Sequence, residues 1–456
     1  MRTTAICHRS LCAALLVNAL LAGDADAGVS RLRRMVVVGD SLLAGFGSGG
    51  FVGVGRPGQV DSAPAFVARR AQVRLPLPFL SAPGVPPPLG IVDANGNGRL
   101  DRGEVRRTQD GLGFRAHPGK TARNLAVPGE DTRSVFQKIA AEDIAGGLVT
   151  GDVNGRDVLK FLILGLPLRP EPVSQVSRAR DLRPSFLLVW IGNNDVLDMA
   201  TDTSPGAVTL TAGEFGGRFR ALLDALADTQ ADMAVANLPD PTAIAALRRA
   251  AGDVTSCRAT DGTTEPVAAD DLLSIDLSPD RLPTPPCAKV LDAAERVQVR
   301  ARVSAFNDEI AAAIADTERT RGVVIAPVDL FTGFDQLGAS GVDLNADGTP
   351  DLTTRYLGGI FSLDGIHPTR TGNALIANTF IEAINARFGE SIPHVDVARV
   401  AAHDPLAHSR FRPAGEVPFG VIGDSEGDDL GAFFTRTFAR IADGIDDLRQ
   451  RFERLF

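Results

Sequence analysis

The sequence predicts an α/β domain in which helices cover both faces of a parallel sheet. Two short runs, 35–39 and 186–191, are apolar throughout. Strands of a parallel sheet have this composition because both of their faces are buried. Segments with helical periodicity separate such runs along the chain. This alternation is typical of βαβ units, which place their strands side by side in one parallel sheet.

The first half of the chain is predicted to supply three strands and one helix. Residues 35–39 form a β-branched run that ends in glycine, and 63–73 has the apolar spacing of a helix. The Pro-rich stretch 75–88 suits neither a helix nor a central strand, because proline lacks the N–H that both require. A second strand is predicted at 122–127, where an apolar run ends in Pro-Gly, and a third at 186–191.

The second half of the chain continues the alternation. Apolar residues recur every three to four positions over 212–227, 293–320 and 371–388, which predicts three amphipathic helices. Between them, short apolar runs at 233–236 and 323–328 predict two further strands. The last of these helices therefore closes the predicted frame at residue 388.

We divide the chain into a signal peptide, one domain and a C-terminal extension. Residues 1–27 begin with a charged stretch, continue as a mostly apolar run and end in an A-x-A cleavage site, a pattern that predicts export to the periplasm or secretion. The domain spans 28–398 and the extension 399–456. Three irregular insertions are predicted within the domain, at about 75–120, 250–290 and 335–360.

Cysteine usage agrees with export. Cys7 and Cys12 lie in the signal peptide, which leaves Cys257 and Cys287 in one segment rich in Asp, Pro and Thr. An exported protein with two cysteines in one irregular segment is expected to join them in a disulfide. We therefore predict a Cys257–Cys287 bond that holds the second insertion.

Composition restricts the class of ligand. The chain carries a formal net charge of −9, which argues against a nucleic-acid partner, since such proteins present a basic face. It has one Trp and one Tyr against 23 Phe. Sugar-binding grooves rely on Trp and Tyr, which combine a ring face with a polar group. The scarcity of both therefore favours an apolar ligand over a polysaccharide.

Four short segments carry residues suited to nucleophilic catalysis. Ser41 follows the first strand, at the carboxyl end where open parallel sheets place their chemistry. A serine nucleophile needs a base, an acid that orients it and donors for an oxyanion. His367 has Asp364 three residues before it, close enough to share one turn. The side-chain amide of Asn194 and the backbone N–H of Gly129 each follow a predicted strand and could donate to an oxyanion.

Together these segments resemble the SGNH (GDSL) hydrolase superfamily. The matching blocks stand in the family's order and are Gly39-Asp40-Ser41-Leu42, Asn124-Leu125-Ala126-Val127-Pro128-Gly129, Gly192-Asn193-Asn194-Asp195 and Asp364-Gly365-Ile366-His367-Pro368. The resemblance implies a flavodoxin-like three-layer α/β/α sandwich and ester hydrolysis without a cofactor. It also implies that Ser41 is the nucleophile, His367 the general base and Asp364 its partner. The implied oxyanion hole consists of the Ser41 and Gly129 N–H groups and the Asn194 amide.

The substrate remains open among several classes. The apolar run 161–166 and the Pro-rich insertion predict an apolar pocket wall, which favours a small-molecule or lipid ester and an enzyme of lipase or esterase type. The same catalytic set also serves polysaccharide deacetylases and acyltransferases. A different class is a calcium-stabilised binding or adhesion protein built on an inactive hydrolase frame.

The calcium expectation comes from two loops. The first matches the twelve-position calcium loop, with Gly98 at position 6 and Glu104 at position 12 for bidentate binding. Its candidate ligand positions are Asp93, Asn95, Asn97, Arg99, Asp101 and Glu104. The second loop repeats nine positions and has Thr354 where the bidentate Glu would stand. Its candidates are Asp343, Asn345, Asp347, Thr349 and Asp351. We expect both to act as structural clips for insertions.

The C-terminal extension ends in a strongly periodic segment. Apolar residues recur at spacings of four and three over 430–455, and the opposite face is rich in Asp and Arg. This pattern predicts an amphipathic helix. Its apolar face is suited to packing back on the domain, to self-association or to contact with a lipid surface.

Overall fold

The computed structural model describes most of the chain from residue 31 to residue 423. The described residues are 31–55, 57–109, 113–140, 143, 155–165, 171–201, 210–277, 284–411, 413 and 416–423. The predicted signal peptide and the periodic segment 430–455 lie outside them. Within these ranges, every helix is too short or too polar to cross a membrane.

Four parallel strands form the central sheet, as the sequence predicts. They are β1 (Met35–Gly39), β4 (Phe186–Trp190), β5 (Asp232–Ala236) and β11 (Ile325–Val328), in the spatial order β1-β4-β5-β11. β1 and β4 are fully buried, which explains their continuous apolar composition. The predicted bounds differ from the observed ones by one or two residues at most.

The segment predicted as a strand at 122–127 is extended but forms no regular strand. It runs parallel to β1, with a single bridge between Val37 and Asn124. The N–H of Leu125 donates to the carbonyl of Val37 within this bridge, and the N–H of Val127 donates to the carbonyl of Gly39 and continues the pairing. Pro128, which has no N–H to donate, follows at once. The segment therefore carries Gly129 to the carboxyl end of β1.

Helices cover the sheet in two layers. One layer contains α2 (Ala63–Arg70) and α9 (Arg370–Phe388), which pack on each other, with α9 also on β5 and β11. The other contains α4 (Gln175–Asp181), α6 (Ala212–Ala227) and α7 (Ala293–Arg321), with α6 packed between α4 and α7. The predicted α/β fold with a parallel sheet between helices is confirmed.

Shorter helices complete the frame. The α-helices are α1 (Ser41–Ala44), α3 (Gly155–Leu164), α5 (Asn193–Thr201), α8 (Leu330–Ser340) and α10 (Val397–Ala401). The 3₁₀ turns are Gln59–Asp61, Ser134–Phe136, Pro241–Ala243 and Cys287–Lys289. Helix α8 occupies the start of the region predicted as irregular from about 335, so that expectation is wrong over its first residues.

The insertions form small sheets of their own. The first contains a hairpin of β2 (Leu89–Ile91) and β3 (Val105–Arg107). The second contains β6 (Leu247–Arg249), β9 (Leu272–Ser274) and β10 (Val290–Leu291) in one sheet and β7 (Ser256–Arg258) with β8 (Thr264–Pro266) in another. The predicted disulfide between Cys257 and Cys287 is present.

A segment after α10 joins these insertions to the body. Ile422 pairs with Val105 of the first insertion, and the N–H of Gly420 donates to Ile275 of the second. Val421 and Ile422 also share an apolar cluster with Leu363, the residue before Asp364. Residues 417–423 therefore pack within the same body as the four motif blocks.

Candidate active site

Ser41 stands where the sequence predicts it, at the carboxyl end of β1 and the start of α1. The carboxylate of Asp40 accepts a hydrogen bond from the N–H of Leu42 at 3.0 Å and so caps this short helix. Gly39 is required here, since a Cβ on it would lie 2.5 Å from the carbonyl oxygen of Trp190 on the neighbouring strand. The turn thus places Ser41 and the first helical N–H groups at the edge of the sheet.

His367 and Asp364 form a hydrogen-bonded pair on one buried turn. The imidazole Nδ1 lies 3.0 Å from Asp364 Oδ2, and the other carboxylate oxygen accepts the N–H of His367 at 2.8 Å. Gly365 between them has φ +71°, and a Cβ there would lie 2.5 Å from the backbone nitrogen of Ala246. The His367 ring also packs against Phe46, with 4.7 Å between the ring centroids. Its orientation is therefore fixed from two sides.

The Asp364 carboxylate is held in its ionised form. Burial alone raises the pKa of Asp364, but His367 and the N–H groups of His367 and Ile366 outweigh burial and lower it below its ordinary value. The N–H of Gly49, from the loop after α1, also donates to this carboxylate. An ionised Asp364 accepts the proton on Nδ1 and leaves Nε2 of His367 as the basic nitrogen.

Gly129 and Asn194 meet at the same edge. Gly129 has φ +80°, a conformation that favours glycine. The Asn194 side chain donates to the carbonyl of Glu130 at 2.7 Å, and because an amide NH₂ has two hydrogens, one remains for a ligand. The next residue, Asp195, accepts the N–H and the hydroxyl of Thr132, both at 2.9 Å. Helix α5 thus holds the loop that carries Gly129.

A buried ion pair supports the loop that carries Gly129. Lys160 Nζ lies 2.7 Å from Glu130 Oε1, and neither side chain is exposed. The ammonium also donates to the carbonyls of Ser134 at 2.9 Å and Gln137 at 3.2 Å. Burial raises the pKa of Glu130, and Lys160 opposes the shift. Sequence reasoning missed this pair, since nothing local marks Lys160 as buried.

Two further aspartates near the site were not predicted as functional. The buried Asp40 accepts a hydrogen bond from Asn193 Nδ2 at 2.8 Å, which links the Ser41 turn to α5. Burial raises the pKa of Asp40 to about 6 and that of Asp195 to about 6, against the hydrogen bonds that each accepts. Both residues lie inside motif blocks that the sequence singles out, and this position is the one sequence feature that could have marked them as functional.

One cleft contains the predicted catalytic side chains. Ser41, His367, Gly129 and Asn194 all line it, and it encloses about 940 Å³ with its open mouth included. Its remaining walls are mainly apolar and consist of Leu42, Phe46, Pro128, Trp190, Val196, Leu197, Pro239, Pro241, Ala243, Ile244, Phe334, Phe361, Ile366, Pro368 and Ile376, with Asn193 and Asp240 among them. The predicted apolar wall exists, but other segments form it.

The two segments predicted to form that wall lie elsewhere. None of the cleft residues comes from 161–166 or from the Pro-rich insertion. Ile163 and Leu164, on α3, belong instead to the main core. An apolar helix face is as suitable for a core as for a pocket, so the sequence could not separate the two roles.

The calcium-like loops are folded around internal hydrogen bonds. In the first, Asp101 accepts from the side-chain amides of Asn95 at 2.9 Å and Asn97 at 2.7 Å, and Glu104 accepts two backbone N–H groups. In the second, Asp343 accepts from four successive backbone N–H groups, 345–348. Neither loop gathers three carboxylates about one point in this conformation.

Among the described residues, one set of three metal-ligand types lies within 4.8 Å, namely Cys257, Glu265 and Cys287. The two cysteines are bonded to each other, and a disulfide sulfur is no thiolate ligand. The set therefore marks the predicted disulfide rather than a metal centre.

Comparison with known proteins shows which family this is. Among solved structures, an α/β hydrolase enzyme from the metagenome of Lake Arreo, Spain, is similar at 15% identity over 77% of this chain and 94% of that chain, with a TM-score of 0.32. An extracellular lipase from Streptomyces rimosus is similar at 14% identity over 77% of this chain and 98% of that chain, with a TM-score of 0.30. Comparison with curated proteins gives no match. The model of the GDSL-like lipase/acylhydrolase family matches residues 35–380, about three quarters of the sequence, and the chain therefore belongs to that family.

Proposed function

We propose that the protein is an exported serine hydrolase that cleaves carboxylic esters. The observation that carries the proposal is that one apolar cleft is lined by Ser41, by His367 with its buried Asp364 partner, and by the donors Gly129 and Asn194. A nucleophile, an oriented base and a pair of fixed donors are the parts that acyl transfer requires. Family membership supports a hydrolase of the same kind.

In the proposed mechanism, Ser41 Oγ attacks the ester carbonyl carbon while His367 Nε2 takes its proton. The carbonyl oxygen becomes an oxyanion, to which the N–H groups of Ser41 and Gly129 and the free amide hydrogen of Asn194 donate. The tetrahedral intermediate then expels the alcohol, which takes the proton from His367. Water attacks the resulting acyl-enzyme, His367 accepts a proton from that water, and the carboxylic acid leaves with Ser41 restored. Asp364 stabilises the imidazolium in both halves.

The cleft favours an ester with an apolar acyl group. Its walls bear few polar groups away from the predicted catalytic residues, and mainly apolar walls are typical of small-molecule sites. We propose a small-molecule or lipid ester as substrate, with no nucleic acid and no catalytic cofactor involved. Contact with a lipid surface or self-association through the predicted C-terminal helix belongs to the same proposal.

We also propose that the two Asx-rich loops bind structural calcium. The side-chain oxygens that accept hydrogen bonds within each loop are of the hard type that calcium prefers. In the first loop, Asp93 Oδ1 is buried and without a hydrogen-bond partner, which leaves one carboxylate oxygen for a cation. Calcium would hold the insertions in place and would take no part in the reaction.

The experiment is hydrolysis of p-nitrophenyl esters from acetate to palmitate by the wild type and by Ser41→Ala, with calcium present and then removed. We expect turnover that vanishes in Ser41→Ala. Ester formation on addition of a second alcohol would indicate an acyltransferase, and preference for acetate on sugars a deacetylase. No turnover of any ester by the wild type would contradict the proposal and favour a binding protein on an inactive frame.

A further inference from the structure

An arginine bridges two segments that line the cleft. Arg300, on α7, donates from Nη1 to Asp240 Oδ2 at 2.9 Å and to Asp335 Oδ1 at 2.9 Å. Its second terminal nitrogen donates to the other Asp335 oxygen, which makes that contact bidentate. The guanidinium also lies over the ring of Phe331, 4.8 Å from its centroid. We call the set Asp240, Arg300 and Asp335 the Arg300 bridge.

The bridge joins two segments that each contribute residues to the cleft wall. Asp240 is itself a lining residue, only 8% exposed, and its other oxygen caps the 3₁₀ turn that leads to Ala243 and Ile244. On the other side, Asp335 follows Phe334, which lines the cleft from α8. The separation between Ile244 and Phe334 therefore depends on how firmly these two segments are held together.

Besides the Arg300 bridge, hydrogen bonds hold the first turn of α8, and Phe334 and Leu337 pack further along against an apolar cluster that contains Phe361. Asn237, just after β5, accepts the N–H groups of Leu330 at 2.7 Å and Phe331 at 2.9 Å. Phe334 lies one turn further along, next to the aspartate that Arg300 binds. The bidentate geometry is the strongest arrangement available to a guanidinium and a carboxylate. The bridge is thus placed to fix the part of α8 that reaches the cleft.

We infer that the Arg300 bridge fixes the position of Phe334 relative to Ile244 in the wall of the acyl-binding cleft and so determines which acyl chains the enzyme accepts. Arg300 is a positioning residue, since it acts on the acyl group through Ile244 and Phe334. The inference rests on the proposed function, because it assumes that the acyl group occupies this cleft. Without the bridge, the two lining segments can move relative to each other, and the preference among acyl chain lengths becomes flatter.

The chain offers a matched control on the same helix. Arg321, near the end of α7, also pairs with two aspartates, Asp224 at 3.1 Å and Asp228 at 3.4 Å. None of these three residues lines the cleft. Arg321→Met therefore removes the same charge and the same kind of double contact from α7 without touching the proposed acyl site.

The test compares kcat and KM for p-nitrophenyl esters from acetate to palmitate among the wild type, Arg300→Met, Asp335→Asn and Arg321→Met. We expect Arg300→Met to reduce the ratio of kcat/KM between the preferred and the longest ester about fivefold, the ratio that corresponds to about 1 kcal/mol. Most of the change should be in KM, with kcat on acetate retained. Asp335→Asn should give a similar chain-length profile. The double variant Arg300→Met/Asp335→Asn should differ little from Arg300→Met alone, because both substitutions remove the same ion pair. Arg321→Met should keep the wild-type profile.

An unchanged chain-length profile in Arg300→Met, from an enzyme that hydrolyses esters, would overturn the inference and leave the proposed function intact. A binding readout tests the bridge without turnover. In Ser41→Ala, fatty acids of graded length should displace an apolar fluorescent probe from the cleft with a clear length preference. Adding Arg300→Met should flatten that preference, and an unchanged preference would again overturn the inference. Absence of ester turnover by the wild type would instead count against the proposed function.

Discussion

Replacing Lys160 by Met should be among the most destabilising single substitutions in the described part of the chain. Lys160 Nζ contacts the buried carboxylate of Glu130 at 2.7 Å and the carbonyls of Ser134 and Gln137. Met fills a similar volume, so little of the cost comes from a cavity. The cost arises because a buried carboxylate loses its closest counter-ion, with only Arg156 Nε left at 4.0 Å, and because two carbonyls lose their donor. Removing one partner of such a pair costs about 3–5 kcal/mol.

The stability lost in Lys160→Met should increase as the pH rises. Burial raises the pKa of Glu130, and without Lys160 nothing so close opposes the shift. An acid whose folded pKa is raised contributes its full stability below the unfolded pKa and loses it as the pH rises through the folded value. The stability difference between Lys160→Met and the wild type should therefore be smallest near pH 4 and grow towards pH 8. Urea unfolding at several pH values measures it.

Two variants make this test specific. Adding Glu130→Gln to Lys160→Met removes the buried charge that lost its closest partner, and should recover part of the lost stability at pH 8. Lys138, exposed and four residues after Ser134, provides the control, and Lys138→Met should change the free energy of unfolding by less than about 0.5 kcal/mol. A loss below about 1 kcal/mol for Lys160→Met at pH 8 would refute the reasoning.

Three further predictions concern the oxyanion loop and the insertions. Asn194→Ala should lower kcat about 10²–10³-fold, the usual effect of losing one oxyanion donor, and full activity would contradict that role. Burial raises the pKa of Asp195 from 3.8 to about 6, so wild-type stability relative to Asp195→Asn should fall by about 2 kcal/mol as the pH rises from 4 to 7; a difference that is constant with pH would count against it. Excess EDTA should lower the melting temperature, and an unchanged transition would remove the calcium proposal for both loops.

The sequence predicts best those features that depend on neighbours along the chain. The strands of the central sheet are recognisable because burial on both faces requires continuous apolar runs, as in Phe186–Trp190. The Asp364–His367 pair is recognisable because a spacing of three positions on one turn brings the two side chains together. Ser41 is identified in the same way, by a strand that stops at a glycine.

Features built from distant segments escaped prediction. The cleft wall contains Ile244 and Phe334, which come from segments far apart in sequence, and no periodic pattern marks either as a pocket residue. Helix α8 was missed because Gly333 and Gly338 weaken the helical pattern, while the caps that support it, Asp329 and Asn237, act through folded geometry. Charged residues are predicted to be solvated, so burial of Lys160 could not be expected from its type.

The central claim is that Ser41 is an activated nucleophile that forms a covalent acyl-enzyme, and trapping that species tests it most directly. The protein would be treated with a fluorophosphonate, which labels activated serines, and the adduct located by mass spectrometry of the digested protein. The account predicts stoichiometric labelling at Ser41, absent in Ser41→Ala and strongly slowed in His367→Ala. Failure of the folded wild type to label, or labelling at another serine, would contradict it.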